Sequence, residues 1–357
     1  VVSGNQQPPI QAASGKIQTF FGVFKSMKKL SFIAVALLAT TSVNAEIIKI
    51  PTQSGFSGFV IGGVGTLEYK SNMYKGPNDD NDRHAGLFNS PESHSSVTPI
   101  FGADLRYTFA ETRTQLFLGN LIQDAVRFDF TQQLGVRQQM GDKGIVALAY
   151  VFPLLPADTW SDPYAEGNRH ETDMKSGGGR LAWDQIWGTH FNTSFTMRKF
   201  DISEERSGQS LGLSSAQRDM LDRNGTTSDV ALSYDWIFTP GHVLRPELVY
   251  SKGSFDGSAM SYDKTQILLS HGYNNSQWSL VSNIYLGQMS YDEVNPIFGD
   301  KADSDEFGIS ASFFWHRLFD VKGLNGLISA SYRKSDSDIN FYDASIRSIN
   351  TGLVYHF

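Results

Sequence analysis

The stretch 101-FGADLRYTF-109 alternates without a break: Phe101, Ala103, Leu105, Tyr107 and Phe109 fall on one side, Gly102, Asp104, Arg106 and Thr108 on the other. A period of two belongs to a β-strand, whose successive side chains point to opposite faces. Here one face is apolar and aromatic while the other carries charge. The pattern recurs in 126-VRFDFTQQLGV-136, which sets Val126, Phe128, Phe130, Leu134 and Val136 against Arg127, Asp129, Thr131 and Gly135. It recurs again in 228-SDVALSYDWIF-238, 307-FGISASFFW-315 and 348-SINTGLVYHF-357. A soluble sheet with one wet face gives the same alternation, so a single segment does not decide the class. The length of the segments, their number and what separates them do.

Fourteen strands are expected, near 56–70, 97–109, 114–122, 125–139, 145–153, 179–187, 190–203, 227–238, 242–254, 261–273, 278–292, 305–317, 325–335 and 340–357, with twelve or sixteen as the alternatives. The connections alternate in length. AETR, MGDKG, TPG and NNSQ are short, whereas 71–96, 154–178, 204–226 and 293–304 are long and polar. Segments of about ten residues, apolar on one face, joined by short turns at one end and long loops at the other, define an all-β transmembrane antiparallel β-barrel. Trp187, Trp236, Trp278, Trp315, Phe109, Phe191, Phe238, Tyr273 and Tyr355 all fall beside the short turns. Amphipathic rings favour the headgroup level, so these residues are expected to form a girdle at the periplasmic interface.

The N-terminal side supplies a route to a membrane. Met27, Lys28 and Lys29 precede the apolar run Leu30 to Ala39, and Val43 and Ala45 stand at signal-peptidase positions. This reads as a secretory leader over 27–45, cleaved before Glu46, preceded by an extension over 1–26 that is set aside from the fold. The run is too short to span a bilayer as a helix, and no long apolar run follows it. Four of the 30 basic residues fall before Glu46 while all 37 acidic ones follow it, so residues 46–357 carry a formal charge of −11. That acidity, without a basic cluster, argues against nucleic acid as a partner. The chain has no cysteine, so disulfides do not stabilise it.

A last strand with Leu353, Tyr355 and Phe357 on one face resembles the C-terminal signal of Gram-negative outer-membrane barrels. The resemblance implies that these residues are read by the barrel-assembly machinery. Over 46–357 the chain is similar to an uncharacterised family of such porin-like barrels, known as a domain of unknown function. Location in the outer membrane and the barrel fold are what this likeness implies, with no activity attached.

Chemistry then belongs to the lumen or the outer loops, because an open sheet edge cannot be hydrated in lipid. Alternation places Asp104, Arg106, Arg127, Asp129, Arg137, Asp229, Asp235, Arg245, Glu247 and Arg333 on the inward face. They are candidates for a water-filled path that selects small hydrophilic solutes by size and charge. The overall acidity suggests a modest preference for cations. The alternative is an ion-paired, non-conducting barrel that presents its loops to lipopolysaccharide or another partner. The loops contain Asp79, Asp80 and Asp82, then Asp300, Asp303, Asp305 and Glu306, then Asp336 and Asp338. None has the spacing of a calcium loop, and no metal or cofactor is expected. A lipid-acting enzyme is the third reading, through Ser270, His271, Asn275, Ser276 and Ser279, although these read better as two strands and a turn. His190, His242, His316 and His356 fall near short turns and read as rim residues. Ser215 to Arg223 is expected to form a short helix in a long loop. Gly62, Gly63 and Gly65 are expected to permit bending or close approach, and Pro246 to mark a bulge. Oligomeric state is not expressed in the pattern.

Overall fold

Strands whose two faces differ this sharply need lipid on one side and a shared interior on the other. The computed structural model describes residues 48–77, 81–120, 131–153 and 157–357. The strands are β1 (Gly55–Lys70), β2 (Ser93–Phe109), β3 (Thr114–Gly119), β4 (Thr131–Gln139), β5 (Ile145–Pro153, then Ala157–Trp160), β6 (Glu171–Asp184) and β7 (Phe191–Ile202). They continue as β8 (Gly225–Tyr234, then Trp236–Thr239), β9 (His242–Phe255), β10 (Tyr262–Asn274), β11 (Trp278–Tyr291), β12 (Ser304–Trp315), β13 (Leu324–Ser337) and β14 (Ala344–His356). Both parts of β5 pair with β6, and both parts of β8 pair with β9. Every pairing is antiparallel between neighbours in sequence, and β14 closes on β1 from His356 opposite Phe59 to Ser345 opposite Lys70. The fourteen strands therefore close into one ring among the described residues.

Following paired residues once around returns to β1 about 16 positions farther along. For fourteen strands that shear tilts each by about 40° and sets a backbone diameter on the order of 25 Å. The exterior is apolar. On β11 the outward residues run Trp278, Leu280, Ser282, Ile284 and Leu286 before turning polar at Gln288 and Ser290, while Val281, Asn283 and Tyr285 are buried inward. Val60, Leu105, Leu134, Leu148, Leu232, Leu248, Ile267, Ile309, Ile328 and Ile349 are exposed around the rest of the wall. Water does not tolerate a continuous apolar ring of this kind, and an acyl-chain environment does. The chain is an outer-membrane-type barrel.

Rings mark the inner boundary of that band. Phe191 packs edge-on to Tyr234 at 4.8 Å, His242 lies 4.4 Å from Tyr273, Tyr273 4.6 Å from Trp278, and Trp278 5.6 Å from Phe313. Trp187, Trp236, Phe238, Trp315 and Tyr355 are exposed at the same end, as the girdle reading expected. Below it, the segment leading into β1 runs along the inner rim: Gln185 donates to the Ile48 carbonyl, and Arg113 donates to the carbonyls of Ile50 and Pro51.

Three expectations are corrected. β6 begins at Glu171 rather than near 179, so the third outer loop shrinks to 161–170. Pro246 carries no bulge: the β9–β10 register passes straight through Pro246 opposite Leu269, and the shift lies in β8 between Ile237 and Thr239. Glu306 is not a loop residue but an inward, buried residue of β12. Expected strand residues 121–130, with Arg127 and Asp129, and the loop acids Asp79 and Asp80, lie outside the described residues, as do Val43 and Ala45.

Candidate functional site: the lumen wall and the outer cap

The inward positions of β2, β4, β6, β8 and β9 bring charges together near the inner end. Arg106 Nε lies 2.5 Å from Asp104 Oδ1. Farther around, Arg245 Nε donates to Asp235 Oδ1 at 2.5 Å, and Asn192 Nδ2 donates to the other carboxylate oxygen at 3.0 Å. The Arg137 guanidinium stands over the Phe117 ring at 4.3 Å, and Arg180 Nε donates to Thr196 Oγ1 at 2.7 Å. Asp184 and Glu247 are buried on the same wall. Charges taken from water persist only when paired or hydrogen-bonded, and both signs are present here in quantity.

The wall of β11 to β14 is different. Asn283 Nδ2 donates to Ser310 Oγ at 2.9 Å, Asn350 Nδ2 to Ser329 Oγ at 3.2 Å, and the hydroxyls of Ser331 and Ser348 bond at 2.8 Å. This neutral ladder of amides and hydroxyls gives way toward the outer end to a second charged cluster. Lys264 on β10, Glu306 on β12 and Arg333 on β13 meet there, with Arg333 Nη2 3.2 Å and Lys264 Nζ 3.9 Å from the Glu306 carboxylate. Lys264 and Glu306 were not among the inward candidates. The outward pair Phe307 and Ile309 already implied that Glu306 points in, but its acidic neighbours drew it into the loop.

Above the lumen the loops are joined in a ring. Arg169 donates to the carbonyls of Asn72 and Asn81, and the Arg206 amide bonds the Ser161 carbonyl. The Gly257 amide bonds the Asp222 carbonyl, Asp292 bonds Ser261, and Asp338 bonds Asp303. Asn72 Nδ2 closes the circuit on the Phe341 carbonyl. Inside this ring is an apolar core of Tyr164, Leu221, Ala302, Ile339 and Phe341, all buried, with Met73, Leu87, Phe298 and Tyr342 packed against it. Tyr164 lies between β5 and β6 and Tyr342 between β13 and β14, roughly across the mouth, yet their hydroxyls are 2.5 Å apart. Six loops are therefore joined in the ring, five of them share the small core, and together they cap the outer end.

Burial governs the chemistry of the cap. It pushes the Tyr164 phenol up to about 12 and the Arg169 guanidinium down to about 10. Lys75, almost wholly buried, pairs with Glu171 at 3.0 Å. Arg223 pairs with Glu205 at 2.8 Å and donates to the Trp160 carbonyl. The short helix expected in the fourth loop is present as α1 (Ser215–Asp219), opened by a reciprocal cap between Ser214 and Gln217.

The remaining sequence candidates fall as follows. Asp229 and Arg333 are half-buried and inward; Leu353, Tyr355 and Phe357 are outward and exposed. Ser270 faces in while His271 faces out and bonds His242 at 3.1 Å, so strand alternation separates the two groups that a nucleophile and base would need together. Ser279 meets His316 at 3.0 Å but is fully buried. Among the described residues no group of three or more His, Asp or Glu side chains is arranged to hold a metal.

Among solved structures, an anion-selective porin from Comamonas acidovorans is similar at 12% identity and TM-score 0.39, over 85% of this chain and 100% of that one. The outer membrane channel DcaP of Acinetobacter baumannii is similar at 9% identity and TM-score 0.41, over 90% and 100%. A FadL homologue of Pseudomonas aeruginosa is similar at 9% identity and TM-score 0.39, over 84% and 89%. No curated protein matches the sequence. Residues 55–356, essentially the whole barrel from β1 to β14, match the family described as a protein of unknown function, and the chain belongs to that family, DUF2860.

Proposed function

We propose that the protein is a porin-like channel of the Gram-negative outer membrane for small hydrophilic solutes, with its outer loops acting as the gate. The observation that carries this reading is the inversion of the wall: an apolar exterior around an interior lined with Asp104, Arg106, Arg137, Asp184, Asp235, Arg245 and Glu247. Charges of both signs facing a lumen suit a hydrated path, and about fourteen strands enclose more space than wall side chains usually fill. Export by the 27–45 leader, recognition of Leu353, Tyr355 and Phe357 by the assembly machinery, and contact of the outer rim with lipopolysaccharide complete the reading. Catalysis is disfavoured by the opposite orientation of Ser270 and His271.

The cap favours one competing reading, a non-conducting barrel that presents its loops to a partner. Conductance in planar bilayers separates the two. Wild-type protein is expected to open rarely, and a Tyr164→Ala/Phe341→Ala variant frequently, because removing two aromatic side chains from a core costs about 3–5 kcal/mol each. If both proteins leave the bilayer tight, while heat-modifiable migration shows both folded, the channel reading fails.

A further inference from the structure

We infer that Lys264, Glu306 and Arg333 form a binding station for a small oxyanion, a carboxylate or phosphate group of the transported solute, with Arg333 as the contact residue. The inference rests on the channel reading for its biological sense, but the site is built from its own geometry. Lys264 and Glu306 stand on β10 and β12 with β11 between them, and they communicate across that strand because its inward residue there is Gly287. A β-carbon at Gly287 would lie 3.0 Å from Gln266 Cγ and 3.4 Å from Glu306 Cβ. The missing side chain lets Gln266 Nε2 reach over and donate to Glu306 Oε2 at 2.9 Å. Gly308 performs the same service one strand on. The Tyr285 ring occupies the space of its absent side chain, and the Arg333 guanidinium lies 5.5 Å from that ring.

The result is a network laid flat against the wall, with two cations on one carboxylate. Asp229 and Arg198 face the cluster from β8 and β7 and act on Lys264 with opposite signs, so they leave the surplus of one positive charge in place. Exposure identifies the contact residue: the side chains of Glu306 and Lys264 are 3% and 13% exposed, that of Arg333 28%. Both contacts of Arg333 with Glu306 run through Nη2, at 3.2 and 3.3 Å, so the guanidinium is not used up in a two-nitrogen fork with its own carboxylate. A planar guanidinium fixed by a carboxylate and an aromatic face suits a carboxylate or phosphate group. The station sits near the outer end of the lumen, and its sign is opposite to that of the chain as a whole, whose formal charge is −7.

Two measurements test this. Reversal potentials in a potassium chloride gradient, made in the Tyr164→Ala/Phe341→Ala background so that the path is open, should show anion preference. Arg333→Gln should move the potential toward cation preference and Glu306→Gln away from it. Cation preference in the parent, or equal movement of the two variants, would overturn the assignment. Isothermal titration of the detergent-solubilised full chain with inorganic phosphate, and separately with acetate, does not depend on conductance. Heat should be exchanged with one or both, telling phosphate from carboxylate recognition, and Arg333→Gln should abolish it. Binding without conductance would remove the channel reading and keep the site; conductance without binding or selectivity would do the reverse.

Discussion

Pro246 lacks an N–H and faces outward in a closed sheet, so it leaves the β8–β9 ladder short of a bond. The pairing runs from Phe255 down to Glu247 opposite Ser233, and resumes at Leu244 opposite Trp236. In the interval the Asp235 amide keeps the β7–β8 register, donating to the His190 carbonyl at 2.9 Å, and the Asp235 carboxylate points inward to Arg245 and Asn192. The expected bulge is absent because this local substitution of side-chain bonds for a backbone bond keeps the register intact. Alternation was enough to place Asp235 and Arg245 inside, but not to pair them, since pairing depends on register across strands. The Asp235 side chain is 2% exposed, so removing it strands the Arg245 charge. Asp235→Ala is expected to cost about 3–5 kcal/mol, whereas replacing both partners by apolar residues, Asp235→Leu with Arg245→Met, should restore most of the loss. The midpoint of heat-modifiable migration checks both. Equal destabilisation by the single and double variants would show that the pair does not act as a unit.

At the scale of the strand, the apolar face was legible wherever lipid covers it and illegible above it. β6 shows the limit. Its outer part, 171-ETDMKSGGG-179, has no alternating apolar face and three consecutive glycines, and so reads as loop. Two of the three glycines stand where close neighbours leave no room for a side chain: a β-carbon at Gly177 would meet the Tyr150 hydroxyl at 2.6 Å and one at Gly178 would collide with the β7 backbone, whereas Gly179 is open. The same logic separates the glycines of β1. Gly63 and Gly65 are crowded by β14, whereas Gly62 faces out with nothing within 4 Å of an added β-carbon. A paired test follows. Gly308→Ala must displace the Tyr285 ring and is expected to destabilise the barrel by about 1–3 kcal/mol, while Gly62→Ala leaves the thermal midpoint unchanged. Loss of stability in both would point to a general intolerance of β-carbons in these strands rather than to the Tyr285 seat.

The whole molecule differs most from its sequence at the cap, because the core residues Tyr164, Leu221 and Ala302 come singly from three polar loops, Ile339 and Phe341 come from a fourth, and they meet only because the barrel brings the loops together. One titratable group is built into that assembly. His84 presents its ring edge-on to Phe341 at 5.2 Å, accepts the Gly86 amide on Nδ1 at 3.1 Å, and has its Nε2 buried. Burial, reinforced by the neighbouring Arg169 charge, holds its pKa below the usual histidine value, against the opposing pull of the Tyr164 and Ala165 carbonyls and of Glu166. With the capped-state pKa depressed, the uncapped state takes up the proton first. Cap stability is therefore full above the ordinary histidine pKa of about 6.5 and falls as the pH drops through that value toward the lowered one. Hydrogen exchange of the Tyr164 and Leu221 amides, corrected for intrinsic rates, should show protection falling between about pH 7.5 and about pH 5. His84→Gln, neutral throughout, should flatten the profile. If wild type and variant lose protection in parallel, the acid sensitivity belongs to the loop carboxylates and not to His84.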